Sequence, residues 1–205
     1  INFSVAATGS LDGLIGLRQG WGDIAGCHLL DADTNSYNTP YIRHILPDRD
    51  VYVVTLADRE QGLIVRPGNP LNLRAIEDLV GSGVRIVNRN RGSGTRLWLD
   101  RILGNLGVAG TDISGFDREV STHRAAARAV AEGEADAAFG IAAAAEEYHL
   151  EFVPLHMERY ELVIPADIYE SEPIVRLIDR IHSKGYRKSV ERIRGYDLHG
   201  LGDER

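Results

Sequence analysis

The residues best suited to chemistry form one run: Arg89, Asn90, Arg91, Gly92, Ser93, Gly94, Thr95 and Arg96. Apolar Val84, Ile86 and Val87 precede it, and Leu97, Leu99, Ile102, Leu103 and Leu106 follow it. The first group suits a strand and the second one face of a helix, so the layout reads as strand, Gly-rich loop and helix start. Two glycines permit a sharp turn and a close approach of backbone to ligand, Ser93 and Thr95 add hydroxyls, and N–H groups at a helix start favour negative charge. With three arginines alongside, the expected ligand is an anion. A Walker loop would need a longer Gly-to-Gly spacing and a Lys, and Leu97 stands where a dinucleotide fingerprint needs its third glycine. A helix cap with charged neighbours is the bland alternative.

The elements that must position this loop recur along the chain. Asn2 to Ala6 reads as a short strand, and Thr8, Gly9 and Ser10 lead into Leu11, Leu14, Ile15 and Leu17, again a helical face. Gly26 to Asp31 is a buried-strand pattern, Asp33 to Thr39 a polar loop, and Pro40 to Leu46 a short helix. Val51 to Leu56 and Gln61 to Val65 read as strands, with Asp58, Arg59 and Glu60 between or across them. Residues 73–80 read as a helix; Ser121 or Thr122 can cap another that closes at Gly133; Ala135 to Ile141 is a strand, and Ala142 to Tyr148 a helix. Glu151 to Leu155 and Tyr160 to Ile164 read as strands, Glu172 to His182 and Ser189 to Ile193 as helices. Alternating strands and helices predict an α/β fold with parallel sheets. Leu177, Ile178 and Ile181 suit either a core or a dimer face.

The chain has 205 residues, enough for one large domain or two lobes of about 100 residues each. Its 43% hydrophobic and 26% charged content is that of an ordinary soluble globular protein. A net charge of -7 and a pI near 5.5 give no support to a basic nucleic-acid surface, so any anion site must be locally positive. The single Cys27 excludes an internal disulfide framework and a Cys cluster for zinc, and its apolar setting suits burial. No stretch approaches a membrane span and no signal peptide is legible. Ile1 in place of an initiator Met leads us to expect a piece of a longer protein. The cytoplasm is the expected compartment, a removed leader being the alternative.

One ordered set of motifs resembles a known family. It comprises Ala7, Thr8, Gly9, Ser10; then His28 to Asp31 with Tyr37, Asn38, Thr39, Pro40, Tyr41, Ile42; then Asn88, Arg89 and Arg91 to Arg96. Glu119, Thr122 and His123 come next, followed by Gly133 with Ala135 to Ala138, Gly140 and Ile141, and by Glu158, Arg159 and Tyr160. Together these resemble the type II periplasmic-binding-protein-like domain, in the version attached to helix-turn-helix regulators and molybdopterin-biosynthesis proteins. The resemblance implies a two-lobed α/β fold closing on a ligand in the intervening cleft, with residues 1–82 and 156–205 as lobe 1 and 83–155 as lobe 2. It implies recognition without catalysis of a small anion, molybdate or tungstate first, in molybdopterin biosynthesis or its transcriptional control.

The residues expected at the ligand under that resemblance are Thr8, Gly9, Ser10, Tyr37, Asn38, Arg91, Gly92, Ser93, Gly94, Thr95, Arg96, Thr122, Gly140 and Tyr160. No catalytic residue, cofactor or metal ligand is expected, and no direct nucleic-acid or membrane contact. A covalently attached N-terminal domain is expected as partner, with DNA contact made there. Two other functions stay open. One is an enzyme acting on a phosphorylated or pterin-like molecule, with His123 and Glu119 or Asp136 moving a proton. The other is an extracytoplasmic solute-binding protein of a transporter. Against the first, Gly92-Ser93-Gly94 is not a nucleophile elbow and Cys27 has no partner in the sequence.

Overall fold

The computed structural model describes residues 3–205. In chain order its elements are α1 (Ser10–Gln19), β1 (Ala25–Cys27), α2 (Thr39–Ile45), β2 (Val51–Val65), β3 (Ile86–Arg89), α3 (Gly94–Leu106), β4 (Glu119–Val120) and α4 (His123–Ala131). These are followed by β5 (Ala137–Ile141), α5 (Ala142–Glu147), β6 (Glu151–Pro165), α6 (Ala166–Tyr169), α7 (Glu172–His182), α8 (Lys184–Val190) and β7 (Tyr196–Asp197). Residues 3–7 are exposed and form no strand, so the alternation read there is not realised, and Ile1 and Asn2 lie outside the described residues. Residues 76–79 make only a single 3-10 turn in place of the expected helix over 73–80.

The chain divides into two compact units, residues 1–59 with 158–205 and residues 60–157. Residues 60–82, which the sequence reading assigns to the first lobe, fall in the second unit, as do His156 and Met157. The reason is that β2 and β6 are each a single 15-residue strand rather than the two short strands expected in each place. The chain therefore changes unit inside a strand, between Arg59 and Glu60 and again between Met157 and Glu158.

In the first unit β6 lies between β1 and β2. The β1–β6 pair is antiparallel, Gly26 facing Leu162, and β7 adds antiparallel to β2 with Asp58 facing Asp197. The core joins Val54, Ala57 and Ile164 to Ile174, Ile181 and Val190 of α7 and α8, with Leu177 and Ile178 packed against it. The spacing Ile174, Leu177, Ile178, Ile181 is one helical face, and the structure turns it inward onto this core.

In the second unit the order is β2-β5-β3-β4. β3 is parallel to both β4 and β5, whereas β2 runs antiparallel to β5 with Gln61 opposite Ile141. The sheet is thus mixed, not the purely parallel one expected. Strand β5 is buried at every residue, and its two alanines and Gly140 let α4, itself lined by Ala126, Ala127, Ala129 and Val130, approach closely. Because β3, β4 and β5 point the same way, their C-terminal ends open on one edge. The turns into α3, α4 and α5 all emerge there, the usual place for a ligand in an α/β sheet.

Candidate functional site

That edge of the second unit gathers most of the expected residues. Ser93 is the N-cap of α3, its hydroxyl accepting the Arg96 N–H at 3.2 Å, and Thr122 caps α4 by accepting the Ala125 N–H at 3.0 Å. Gly92 adopts φ +83°, a left-handed turn that glycine enters without strain and that brings the chain into α3. Inside α3 the N–H groups of Gly94 and Thr95 precede any intrahelical acceptor, so they are free to face an anion together with the positive end of a 13-residue helix. Arg89 ties the neighbouring turn in place, donating to the carbonyls of Val120 (3.3 Å) and Ser121 (2.8 Å). Two capped helix starts are thereby held beside each other on one unit.

Within the loop the three arginines have different parts. Arg91 is 78% exposed at its side chain, only loosely approached by Asp117 and Glu119 at 3.9 and 3.5 Å, and stays available to an incoming anion. Arg96 is buried, bonded to Asp100 at 2.8 Å and Glu119 at 2.9 Å and lying over the Phe116 ring at 4.3 Å. The structure gives Arg96 a positioning role in place of the ligand contact expected. Thr95 is likewise buried, its hydroxyl accepting from Gln61 Nε2 at 2.8 Å. Replacing Thr95 by valine removes that acceptor in a dry site, so we expect a loss of about 1–3 kcal/mol of stability, read by urea unfolding.

Gly140 sits in the buried strand β5, where an added Cβ would fall 2.6 Å from the end of Ile64 and 3.6 Å from His123 Nδ1. Its lack of a side chain serves packing near the edge. The proton-transfer pairing of His123 with Asp136 is not formed: Asp136 precedes β5, at the opposite end of the strand from the His123 helix start, and is clamped by Arg85 at 2.9 and 3.0 Å. The Arg85 guanidinium holds its carboxyl below the usual carboxylate range. Glu119 is engaged by Arg96. Among the described residues no group of His, Cys, Asp and Glu is placed to hold a metal ion, and no helix is long and apolar enough to cross a membrane.

The first unit carries the remaining expected residues. Gly9, not Thr8 or Ser10, is the N-cap of α1; Thr8 is exposed, and the buried Ser10 hydroxyl accepts the His28 N–H at 3.3 Å. Tyr37 bridges to Leu30 across the polar loop. Asn38 is fully buried with its amide spent inside the unit: Oδ1 accepts the Leu29 N–H at 2.7 Å, and Nδ2 donates to Cys27 O at 3.3 Å and Glu161 Oε2 at 2.8 Å. It therefore positions the loop rather than touching a ligand. Burial pushes the Cys27 thiol up, which leaves it inert.

A buried ionic chain lies next to these residues. Glu158, 1% exposed, is bonded to Arg59 and lies 2.6 Å from His28 Nδ1. Burial alone would raise the Glu158 carboxyl, but Arg59 and His28 override it and hold it down at about 2. The Arg59 guanidinium lies 4.0 Å over the Tyr160 ring and 6.0 Å over that of Tyr196. Tyr160 is thus wedged between Arg59 and Gly26. A Cβ on Gly26 would land on the Tyr160 hydroxyl and 3.0 Å from its Cζ. Gly26→Ala is expected to displace that ring and cost about 1–3 kcal/mol, visible as a lower urea midpoint. Arg159 pairs with Asp58, at 3.0 and 3.1 Å, rather than with Glu158.

The sequence reading gave no role to Arg59 or Gln61, and none to His28 and Glu158 beyond their place in the motif set. A signal was present. Ala57, Arg59, Gln61 and Leu63 alternate along β2 and are all buried, and Glu158 is in phase with the buried Ile164 on β6. A charge in register with a core face calls for an opposite charge on a neighbouring strand.

Set against known proteins, the profile of the PBP superfamily domain matches residues 1–182. The chain belongs to that family. This PBP-like domain is 38% identical over 190 residues to the protein YvgK of Bacillus subtilis (strain 168), covering 92% of the chain but 61% of that relative's length. A Clostridium perfringens protein solved with bound phosphate superposes with TM-score 0.68 at 14% identity, over 93% of this chain and 85% of that one. ArtJ of Geobacillus stearothermophilus, which binds arginine, lysine and histidine, gives TM-score 0.57 at 16% identity, over 90% and 74%. Such distant likenesses show the fold, a type II periplasmic-binding-protein-like one, while their ligands differ even in sign of charge. The chain is a PBP-like ligand-binding domain whose ligand must be argued from its own side chains.

Proposed function

We propose that this domain binds a small oxyanion without turning it over, and that molybdate and tungstate are the first ligands to test, with phosphate beside them. The observation that carries this reading is the paired helix starts of α3 and α4 on one edge, with first-turn N–H groups, capping hydroxyls and the exposed Arg91. An oxyanion needs several converging donors, and helix-start partial charges replace its water without a full counter-ion. The bound phosphate of the C. perfringens neighbour supports an anion, while the resemblance to domains of molybdopterin-linked proteins supports the metal oxyanions. A sensory role within a longer protein, through an attached domain, belongs to the same proposal.

The test is calorimetry and thermal shift of the purified chain with molybdate, tungstate, phosphate, sulfate, arginine and a pterin panel. A native-state ligand present at 100 times its Kd adds about 2.7 kcal/mol of stability. Saturable binding of an oxyanion supports the proposal, and binding of arginine or a pterin with no response to any oxyanion overturns it.

A further inference from the structure

The chain is acidic overall, with 30 carboxylates against 23 Lys and Arg, yet its cations are not evenly spread. Between residues 180 and 194 stand Arg180, Lys184, Arg187, Lys188, Arg192 and Arg194, with Glu191 the one carboxylate among them. All six are exposed. Among the described residues none of the six makes a side-chain hydrogen bond or ion pair, whereas Arg176, one turn before Arg180 on α7, is held by Glu172 at 2.9 Å. Helix α8 is split by its own period: Tyr186 and Val190 pack on the core, and Lys184, Arg187 and Lys188, at i, i+3 and i+4, share the solvent face. Such a concentration of unpaired like charge is self-repelling, and only an opposite charge brought from outside relieves it.

The surroundings say what kind of anion fits. An open groove of about 630 Å³ adjoins the basic face, lined by Arg187, Glu191, Tyr196, Asp197, Leu198 and His199. Ile193, 37% exposed, lies between two of the arginines in sequence, and Val175 on α7 is 45% exposed. A phosphate backbone or lipid headgroup would gain nothing from Ile193 or from the Tyr196 ring at the groove. A protein segment mixing carboxylates with an aromatic side chain uses both parts, carboxylates on the arginines and the ring in the groove.

We propose that α8, the turn after it and this groove form a docking surface for an acidic protein segment bearing an aromatic anchor. The surface is built from residues of the first unit and the oxyanion edge from residues of the second, and the proposal stands whether or not the oxyanion reading does.

The probe is a synthetic fluorescent 12-residue peptide of Glu and Asp with one central Phe, titrated against the whole chain by anisotropy. Comparison ligands are the same peptide with Ala for Phe, its Lys-substituted counterpart, a 20-base-pair DNA and vesicles containing phosphatidylserine. Binding of the acidic Phe peptide is expected, weakened about tenfold by Ala for Phe and by salt, and at least tenfold by the double variant Arg187→Glu/Lys188→Glu. A control of equal charge change, Arg43→Glu/Arg74→Glu, should leave it unchanged, and thermal melts establish that both variants fold. Tighter binding of DNA or vesicles overturns the proposal, as does indifference to the Phe or equal loss in the control. Concentration-dependent self-association abolished by the double variant would also overturn it, since the partner would then be a second copy of the chain.

Discussion

Arg59→Met is expected to lower stability by about 3–5 kcal/mol at neutral pH, because it strands the Glu158 carboxylate in a site 1% exposed. One neighbouring residue deepens the loss: Tyr160 gives up the cation over its ring. Burial works against ionising Glu158, and Arg59 with His28 brings its carboxyl to about 2 from an ordinary 4.5. A carboxyl depressed in the folded state stabilises above its unfolded pKa and loses that contribution as pH falls toward the folded one. The parent should thus shed about 3 kcal/mol between pH 4.5 and 2. In the variant, with burial dominating, protonation relieves an unpaired charge, so the gap between variant and parent should narrow over the same interval. The double variant Arg59→Met/Glu158→Leu, which lacks both charges of this pair, should recover much of the loss. Urea midpoints at pH 7, 5 and 3 decide the matter: a single variant within 1 kcal/mol of the parent, or a gap that holds constant with pH, would refute this account.

The same pair marks the limit of what the sequence could tell. Local signals read well where they were self-contained. The Gly-rich loop did lead from a strand into a helix, Thr122 did cap α4, and the apolar face of α7, left open between core and dimer contact, packs on a core. Each depends on residues within a turn or two of one another. What was lost depended on partners far along the chain. Asp58, Arg59 and Glu60 look like a break between two strands because three charges in a row suggest solvent. In fact β2 runs straight through them, Arg59 meeting a carboxylate 99 residues away and Asp58 bonding an arginine 101 residues away. The unit boundary moved for that reason. Asn38 and Arg96 were assigned to a ligand because amides and guanidiniums bind ligands, yet both found partners inside the protein: Asn38 holds Glu161, and Arg96 holds Asp100 and Glu119. A polar residue type states a capacity for bonding. Only the fold says whether that capacity has been used.

The contrast between Arg91 and Arg96 makes the proposed oxyanion edge testable at its sharpest point. Both belong to the same motif, but one side chain is 78% exposed and the other 4%. Arg91→Glu should reduce oxyanion affinity by about a hundredfold or more while leaving the unfolding midpoint unchanged. A unit charge about 5 Å from a bound anion contributes about 1–3 kcal/mol at the effective dielectric of a protein surface, and reversal counts it twice. Arg91→Ala, losing only the attraction, should cost about tenfold. Because Arg91 faces water, raising the salt from 0.05 to 0.5 M should weaken parent binding and shrink the difference between parent and variant. Arg96→Met should behave in the opposite way. It unpairs Asp100 and Glu119 and removes the cation from Phe116, so stability should fall by about 1–3 kcal/mol, and affinity only as far as the α3 start loosens. Calorimetric titration with molybdate and phosphate, paired with urea melts of each variant, separates the two roles. If Arg91→Glu binds as the parent does, the loop is not where the anion sits, and the helix starts of α3 and α4 serve only to cap the sheet.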